Sequence, residues 1–147
     1  MSEEQVVVFK LGQEEYALPI SEVREIINYS GLTKIPNAPL YMEGIINLRG
    51  SIVPVINLAS RFDRPFTLGV EPKVIIIETG EHNIGVIVNE VTEVLRLNEE
   101  NIEPVPVITK NNATIRGIGK MNDRLLILLS LKRLFSDQEL QKFEEAS

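Results

Sequence analysis

Arg49 stands in the run Asn47-Leu48-Arg49-Gly50, a cationic tip joining two apolar segments of an acidic chain. A guanidinium so placed offers a planar donor fork to a carboxylate or carbonyl on another molecule. It could equally be a solvated turn residue, and residue types alone leave both readings open. The other chemically capable residues are isolated. His82, the one histidine, occupies the polar turn Gly80-Glu81-His82-Asn83, with no serine, aspartate or second histidine placed to build a proton relay. A metal site needs clustered ligands, which one histidine among scattered carboxylates does not supply. The acidic pairs Glu14-Glu15 and Glu99-Glu100 fall in turns or at a helical start, where charge is solvated. Gly44, Gly50, Gly117 and Gly119 form no phosphate-cradling loop opening onto a helix. No catalytic residue, metal ligand or cofactor site is assigned. Function is expected to lie in surfaces.

The elements that carry those surfaces come in two copies. Residues 6–27, VVVFKLGQEEYALPISEVREII, return sixty-eight positions later as VIIIETGEHNIGVIVNEVTEVL at 74–95. Gly12 falls on Gly80, Glu22 on Glu90, Val23 on Val91 and Glu25 on Glu93. A second block, Glu43 to Phe62, returns seventy-three positions later as Arg116 to Phe135, matching Gly44 to Gly117, Ile45 to Ile118 and Leu58 to Leu131. Two blocks in one order point to a unit built twice, with an insertion in the second copy. The pseudo-repeat halves are approximately 5–65 and 73–135, within a single domain 1–147. Each half is roughly 70 residues, too small to stabilise itself without disulfides or metal. The chain has no cysteine, so the halves must share or abut a core.

Apolar residues make up 44% of the 147, with five Phe, three Tyr and no Trp, so that core is built of Val, Ile and Leu. A net charge of −6 disfavours non-specific nucleic-acid binding and docking on an anionic membrane, both of which need a positive face. MSEEQ opens no secretory signal, and no apolar run approaches the length of a membrane-spanning helix. A cytoplasmic setting is expected, with which the lack of cysteine is compatible.

Val6–Leu11 and Tyr16–Ile20 form a hairpin, followed by a tight turn with Ser21 as a cap and then Val23–Ile27. Leu32–Ile35 pairs briefly, and Pro36-Asn37-Ala38-Pro39 is a rigid connection. Ile45–Leu48 and Ile52–Ile56 make the next hairpin. Pro54 removes a ladder donor there, which predicts an edge strand or a bulge. Leu58–Phe62 is a helical turn. The second copy supplies Val74–Glu78, Ile84–Val88, Val91–Leu97, Ile115–Met121 and Leu125–Leu129. A capping box at Ser136-Asp137-Gln138-Glu139 predicts a short C-terminal helix. The fold class is all-β, about ten short strands in two sets of five, each half closing into a small barrel and the two packed together. Beyond Arg49, two surface features stand out. Val23 and Val91, equivalent in the repeat, are either core or lining of the seam between halves. Leu32, Ile35, Pro36 and Tyr41 are apolar residues in loop context that could form an exposed patch.

From about Gln5 to Phe135 the chain resembles the CheW family of bacterial chemotaxis coupling proteins. The likeness rests on VVVFKLGQEEYALPISEVREII, IPNAPLYMEGIINLRGSIVPVINLASRF, GVIVNEVTEVLRL and DRLLILLSLKRLF, with NLRG its most specific run. The resemblance implies two five-stranded SH3-like barrels. It also implies a non-enzymatic adaptor joining the cytoplasmic tip of transmembrane chemoreceptors to the regulatory domain of the histidine kinase CheA, in arrays at the inner face of the membrane. By matched position, Val7, Ile20, Val23, Ile26 and Val91 would line a receptor-binding groove. Ile35, Pro36, Ile46 and Leu48 would meet the kinase, and Glu25 and Arg49 would serve coupling. Similar domains occur in the kinase and in CheV proteins, which are longer, so a free-standing adaptor is expected. The alternative is a module that senses a small molecule in a closed pocket between the barrels, with an enzyme third.

Overall fold

The computed structural model describes residues 3–61, 67–69, 71–79, 82–105 and 115–131. Among these residues eleven strands form two sheets. The first has the order β3-β6-β7-β5-β4 and the second β8-β1-β2-β11-β10-β9. Their ranges are β1 Glu3–Leu11, β2 Glu14–Pro19, β3 Val23–Asn28, β4 Met42–Leu48, β5 Ser51–Asn57, β6 Lys73–Thr79, β7 His82–Val88, β8 Glu90–Asn98, β9 Ile102–Glu103, β10 Ile115–Met121 and β11 Arg124–Leu129. The predicted strands are all present. The two-residue β9 was not predicted, and Ser21 lies inside a 3-10 turn, Ile20–Glu22, that has no side-chain cap. The expected C-terminal helix lies outside the described residues.

The barrels do not coincide with the repeat halves. Hairpin β1–β2 joins the second copy's strands, with β1 antiparallel to β8 and β2 parallel to β11. Hairpin β6–β7 reciprocally joins the first copy's, with β6 against β3 and β7 parallel to β5. The cause is the turn after each hairpin. Ile20–Glu22 and Asn89 carry the chain from one sheet to the other, so each hairpin stays behind with the other copy's strands. One barrel is therefore continuous in sequence and inserted into the other.

This exchange explains why the central strands are near-continuous apolar runs and not alternating ones. In β6, Val74 and Ile76 face a cluster with Val53, Val55 and Ile87, private to the first barrel. Ile75 and Ile77 face the opposite way, into a cluster holding Phe9, Leu18, Ile56, Ile84, Val86 and Leu129 from both sheets. In β1, Val6 and Val8 meet Ala17, Leu97, Leu126 and Leu128 in the second barrel's own cluster. The shared cluster cements the barrels together.

Each barrel is closed by a short bridge at an equivalent place. Thr33 and Ile45 exchange both backbone hydrogen bonds, at 2.9 and 2.8 Å. In the second barrel β9 plays that part, Glu103 pairing with Ile118. The crossing segment passes so close that a Cβ on Gly44 would lie 2.4 Å from the Thr33 carbonyl oxygen. A Cβ on Gly117 would lie 2.7 Å from that of Glu103. Close backbone approach is thus why the repeat keeps glycine at these two positions. Pro54 lies in an interior strand without a bulge of its own, contrary to expectation. Ile45 spends its hydrogen bonds on Thr33, so Pro54 opposite it faces β7, where pairing starts only at Val55. No ladder bond is lost.

Candidate protein-docking surfaces

Strands β3 and β8 are repeat equivalents, and each is the edge of its sheet. In β3, Val23 stands opposite Ile77 and Ile26 opposite Ile75, which places both on the face turned toward the other barrel. In β8, Val91 stands opposite Phe9 and Val94 opposite Val7, the corresponding face of the second sheet. The result is a two-walled apolar groove between the barrels. Val23 and Val91 are half-buried against the shared core, while Ile26 is 38% and Val94 52% exposed. Ile20, 42% exposed in the turn that enters β3, adds to one wall only, because its counterpart Val88 is buried.

Of the residues named for a receptor groove, Val23 and Val91 pack against the shared core and Ile20 and Ile26 are exposed beside Val23. Val7 differs. At 2% exposed, its side chain has no surface to offer a partner and belongs to the structure beneath Val94. Sequence reasoning missed Val94, although the signal was present, since it lies sixty-eight positions after Ile26. Ile20, Ile26 and Val94 leave the outer part of both walls exposed. A cleft of about 590 Å³ opens elsewhere, between the end of β3 and β4, lined by Ile27, Tyr29, Leu32, Ile46, Asn47 and Ile52 among others.

Arg49 and Glu25, expected to act on partners, bond each other. Arg49 Nη2 donates to Glu25 Oε1. The pair ties the tip of the β4–β5 hairpin to edge strand β3 across the gap in the first barrel. Arg49 and Gly50 both have positive φ, 50° and 88°, which gives a two-residue hairpin turn of the type whose twist matches its strands. Asn47 Oδ1 accepts from Gly50 N at 2.8 Å and fixes that turn. Hydrogen bonding to Arg49 holds the Glu25 carboxyl below the usual carboxylate range. A parallel tie exists in the second barrel, where Arg124 reaches Glu93, the repeat equivalent of Glu25, at 3.1 Å. Arg124 also makes two bonds to Glu15, at 3.1 and 2.6 Å.

Ile35, Ile46 and Leu48, for which the resemblance implies a kinase contact, divide between two clusters. Ile46 and Leu48 are half-buried against the first barrel's private core, whereas Ile35 packs on the shared core. Pro36 is exposed. The anticipated open patch of Leu32, Ile35, Pro36 and Tyr41 is corrected, because Leu32, Ile35 and Tyr41 are half-buried by packing on those cores. Leu40, almost fully exposed, is the open apolar residue of that loop. Among the described residues, no three His, Cys, Asp or Glu side chains gather as metal ligands would, and no helix is long and apolar enough to cross a membrane.

Residues 5–139 match the family model described as "CheW-like domain". The chain is 37% identical over 145 residues to a chemotaxis protein CheW of Treponema pallidum, covering 94% of this chain and 85% of that protein. It is 36% identical over 140 residues to a chemotaxis protein CheW of Klebsiella aerogenes, covering 93% and 84%. The crystal structure of the scaffolding protein TtCheW from Thermoanaerobacter tengcongensis superposes with a TM-score of 0.84 at 39% identity, covering 92% of this chain and 90% of that one. With its interleaved barrels and their inter-barrel groove, the chain belongs to the family of CheW-like domains.

Proposed function

We propose that this protein is a non-enzymatic chemotaxis adaptor that joins the cytoplasmic tip of chemoreceptors to the regulatory domain of the histidine kinase CheA and works in arrays on the inner face of the membrane. The observation that carries the reading is the groove itself. Two equivalent edge strands present Val23, Ile26, Val91 and Val94, with Ile20 at one end, as an open apolar trough. Such a trough suits an amphipathic helix that lays apolar positions along it. A small-molecule sensor would hold its ligand in an enclosed pocket between the barrels, and these walls are open. We assign the kinase contact to the first barrel, through Ile35, Pro36, Ile46 and Leu48, with Arg49 and Glu25 at the β4–β5 tip.

The test pairs two variants with two partners. Val23→Asp puts a carboxylate into a contact that must be desolvated and should weaken binding of a chemoreceptor cytoplasmic fragment by about 2–4 kcal/mol. Its affinity for the CheA regulatory domain should stay near wild type. Leu48→Asp should do the reverse. Calorimetric titration of folded variants measures both, and unchanged receptor binding by folded Val23→Asp would remove the groove assignment.

A further inference from the structure

Glu22 is the one buried carboxylate among the described residues, at 8% exposed. Burying a charged group is costly unless hydrogen bonds replace the lost water. Glu22 has them: Oε1 accepts from the Leu131 backbone N–H at 2.9 Å and Oε2 from the Ser130 hydroxyl at 3.4 Å. Ser130 is itself one of only three other buried polar residues described. The contact joins segments 109 positions apart, the turn Ile20–Glu22 and the end of β11. In that turn the Val23 N–H donates to the Ile20 carbonyl oxygen, so the two flanking residues form one rigid unit with Glu22 between them. Those residues are Ile20 and Val23, two of the three apolar residues of one groove wall. The opposite wall starts differently. Glu90, the repeat equivalent of Glu22, is exposed, and Asn89 anchors that crossing by donating to the Lys10 carbonyl oxygen and accepting from the Gly12 N–H.

We propose that Glu22 is a positioning residue for the receptor groove, pinning the turn that presents Ile20 and Val23 to the second barrel at Ser130 and Leu131 and so fixing the distance between the two walls. This rests on the groove being the receptor site. The partner is untouched by Glu22. The residue acts by holding the apolar contacts where a helix can meet both walls at once.

Three variants separate positioning from general stability. Glu22→Ala removes both acceptors and should raise the Kd for a chemoreceptor cytoplasmic fragment by about tenfold or more, leaving the Kd for the CheA regulatory domain within about twofold. Glu22→Gln can still accept from Leu131 through its carbonyl oxygen and donate to Ser130 through its amide, so it should restore receptor binding to within about threefold. Val23→Asp is measured alongside. If Val23→Asp abolishes receptor binding while Glu22→Ala binds normally, the positioning role is overturned and the groove assignment stands. If neither weakens binding, both fall. Equal loss toward receptor fragment and kinase domain would also overturn positioning, since a merely structural residue would behave that way. Should Glu22→Ala not fold, Glu22→Asp serves instead, keeping the charge and losing one methylene of reach. It should weaken the receptor fragment selectively, and wild-type binding by it would overturn the proposal.

Discussion

The same ion pair, glutamate on an edge strand to arginine on the last hairpin of each repeat copy, occurs twice with different outcomes. Arg124 is engaged by Glu15 through two bonds and by Glu93 through a third, a fork whose donors are largely spent. Among the described residues Arg49 makes one contact, to Glu25, through a single nitrogen, and its side chain is well exposed. Its remaining donors face solvent, so Arg49 is the one of the two that can grip a partner carboxylate without first releasing its own. That difference decides what a lysine would do. An ammonium reproduces a single bond to Glu25 but not a two-pronged grip on a partner. Arg49→Lys should therefore melt like wild type, yet in reconstituted receptor–kinase–adaptor assemblies it should lower kinase activation about as far as Arg49→Ala. Wild-type activation by the lysine variant would mean that the tie to Glu25, and not a partner fork, is what matters. The sequence pointed to Arg49 as a lone cation at a hairpin tip. That Glu25 answers it could not be seen, because the two lie twenty-four positions apart and meet only once the first barrel curls β3 toward the β4–β5 tip.

At the scale of elements, strand identity was legible because both signals are local. Apolar runs, β-branched in β1, β6 and β7 and leucine-rich in β11, mark these strands, and polar or glycine-containing turns bound them. Partnership was not legible, since a run buried on both faces carries no periodicity to say which neighbour takes which face. Closure was written in the sequence only as an unexplained identity, Gly44 matching Gly117. The structure supplies the cause in the carbonyls of Thr33 and Glu103, each within 3 Å of where a side chain would begin. A side chain on Gly44 would meet the Leu32 Cδ1 methyl, which can turn aside, and the Thr33 carbonyl, which is backbone held in the closing bridge and cannot. Gly44→Ala is expected to destabilise the protein by about 2–4 kcal/mol, at or above the usual cost of overpacking. It should also raise hydrogen exchange at the Thr33 and Ile45 amides. Denaturant unfolding checks the first and exchange the second, and a loss below about 0.5 kcal/mol would mean that the closing segment can move aside at no cost.

For the whole molecule, each half of the sequence repeat contributes strands to both barrels. Sequence similarity records which segments are related by descent, and here the unit of descent differs from the unit of folding. Within residues 3–61 the strands pair only as two separate hairpins, β1–β2 and β4–β5, with β3 unpartnered apart from the short Thr33–Ile45 bridge that follows it. The partners they need, β6, β7, β8 and β11, all belong to the second copy. A two-stranded hairpin is marginal at best alone in water. The first copy would also lose the shared cluster, because Ile75, Ile77, Ile84, Val86, Val88, Leu129 and Leu131 come from the second. A fragment of residues 1–66, cut between the repeats, is therefore expected to be unfolded, with a collapsed amide shift range and no cooperative melt. Mixed with a fragment of residues 67–147 it should recover strand circular dichroism and a cooperative transition, since the hairpins would then find their partners. A well-dispersed spectrum from residues 1–66 alone would show that a half can close its own barrel, and the exchange of hairpins would then be a property of the joined chain and not a requirement of the strands.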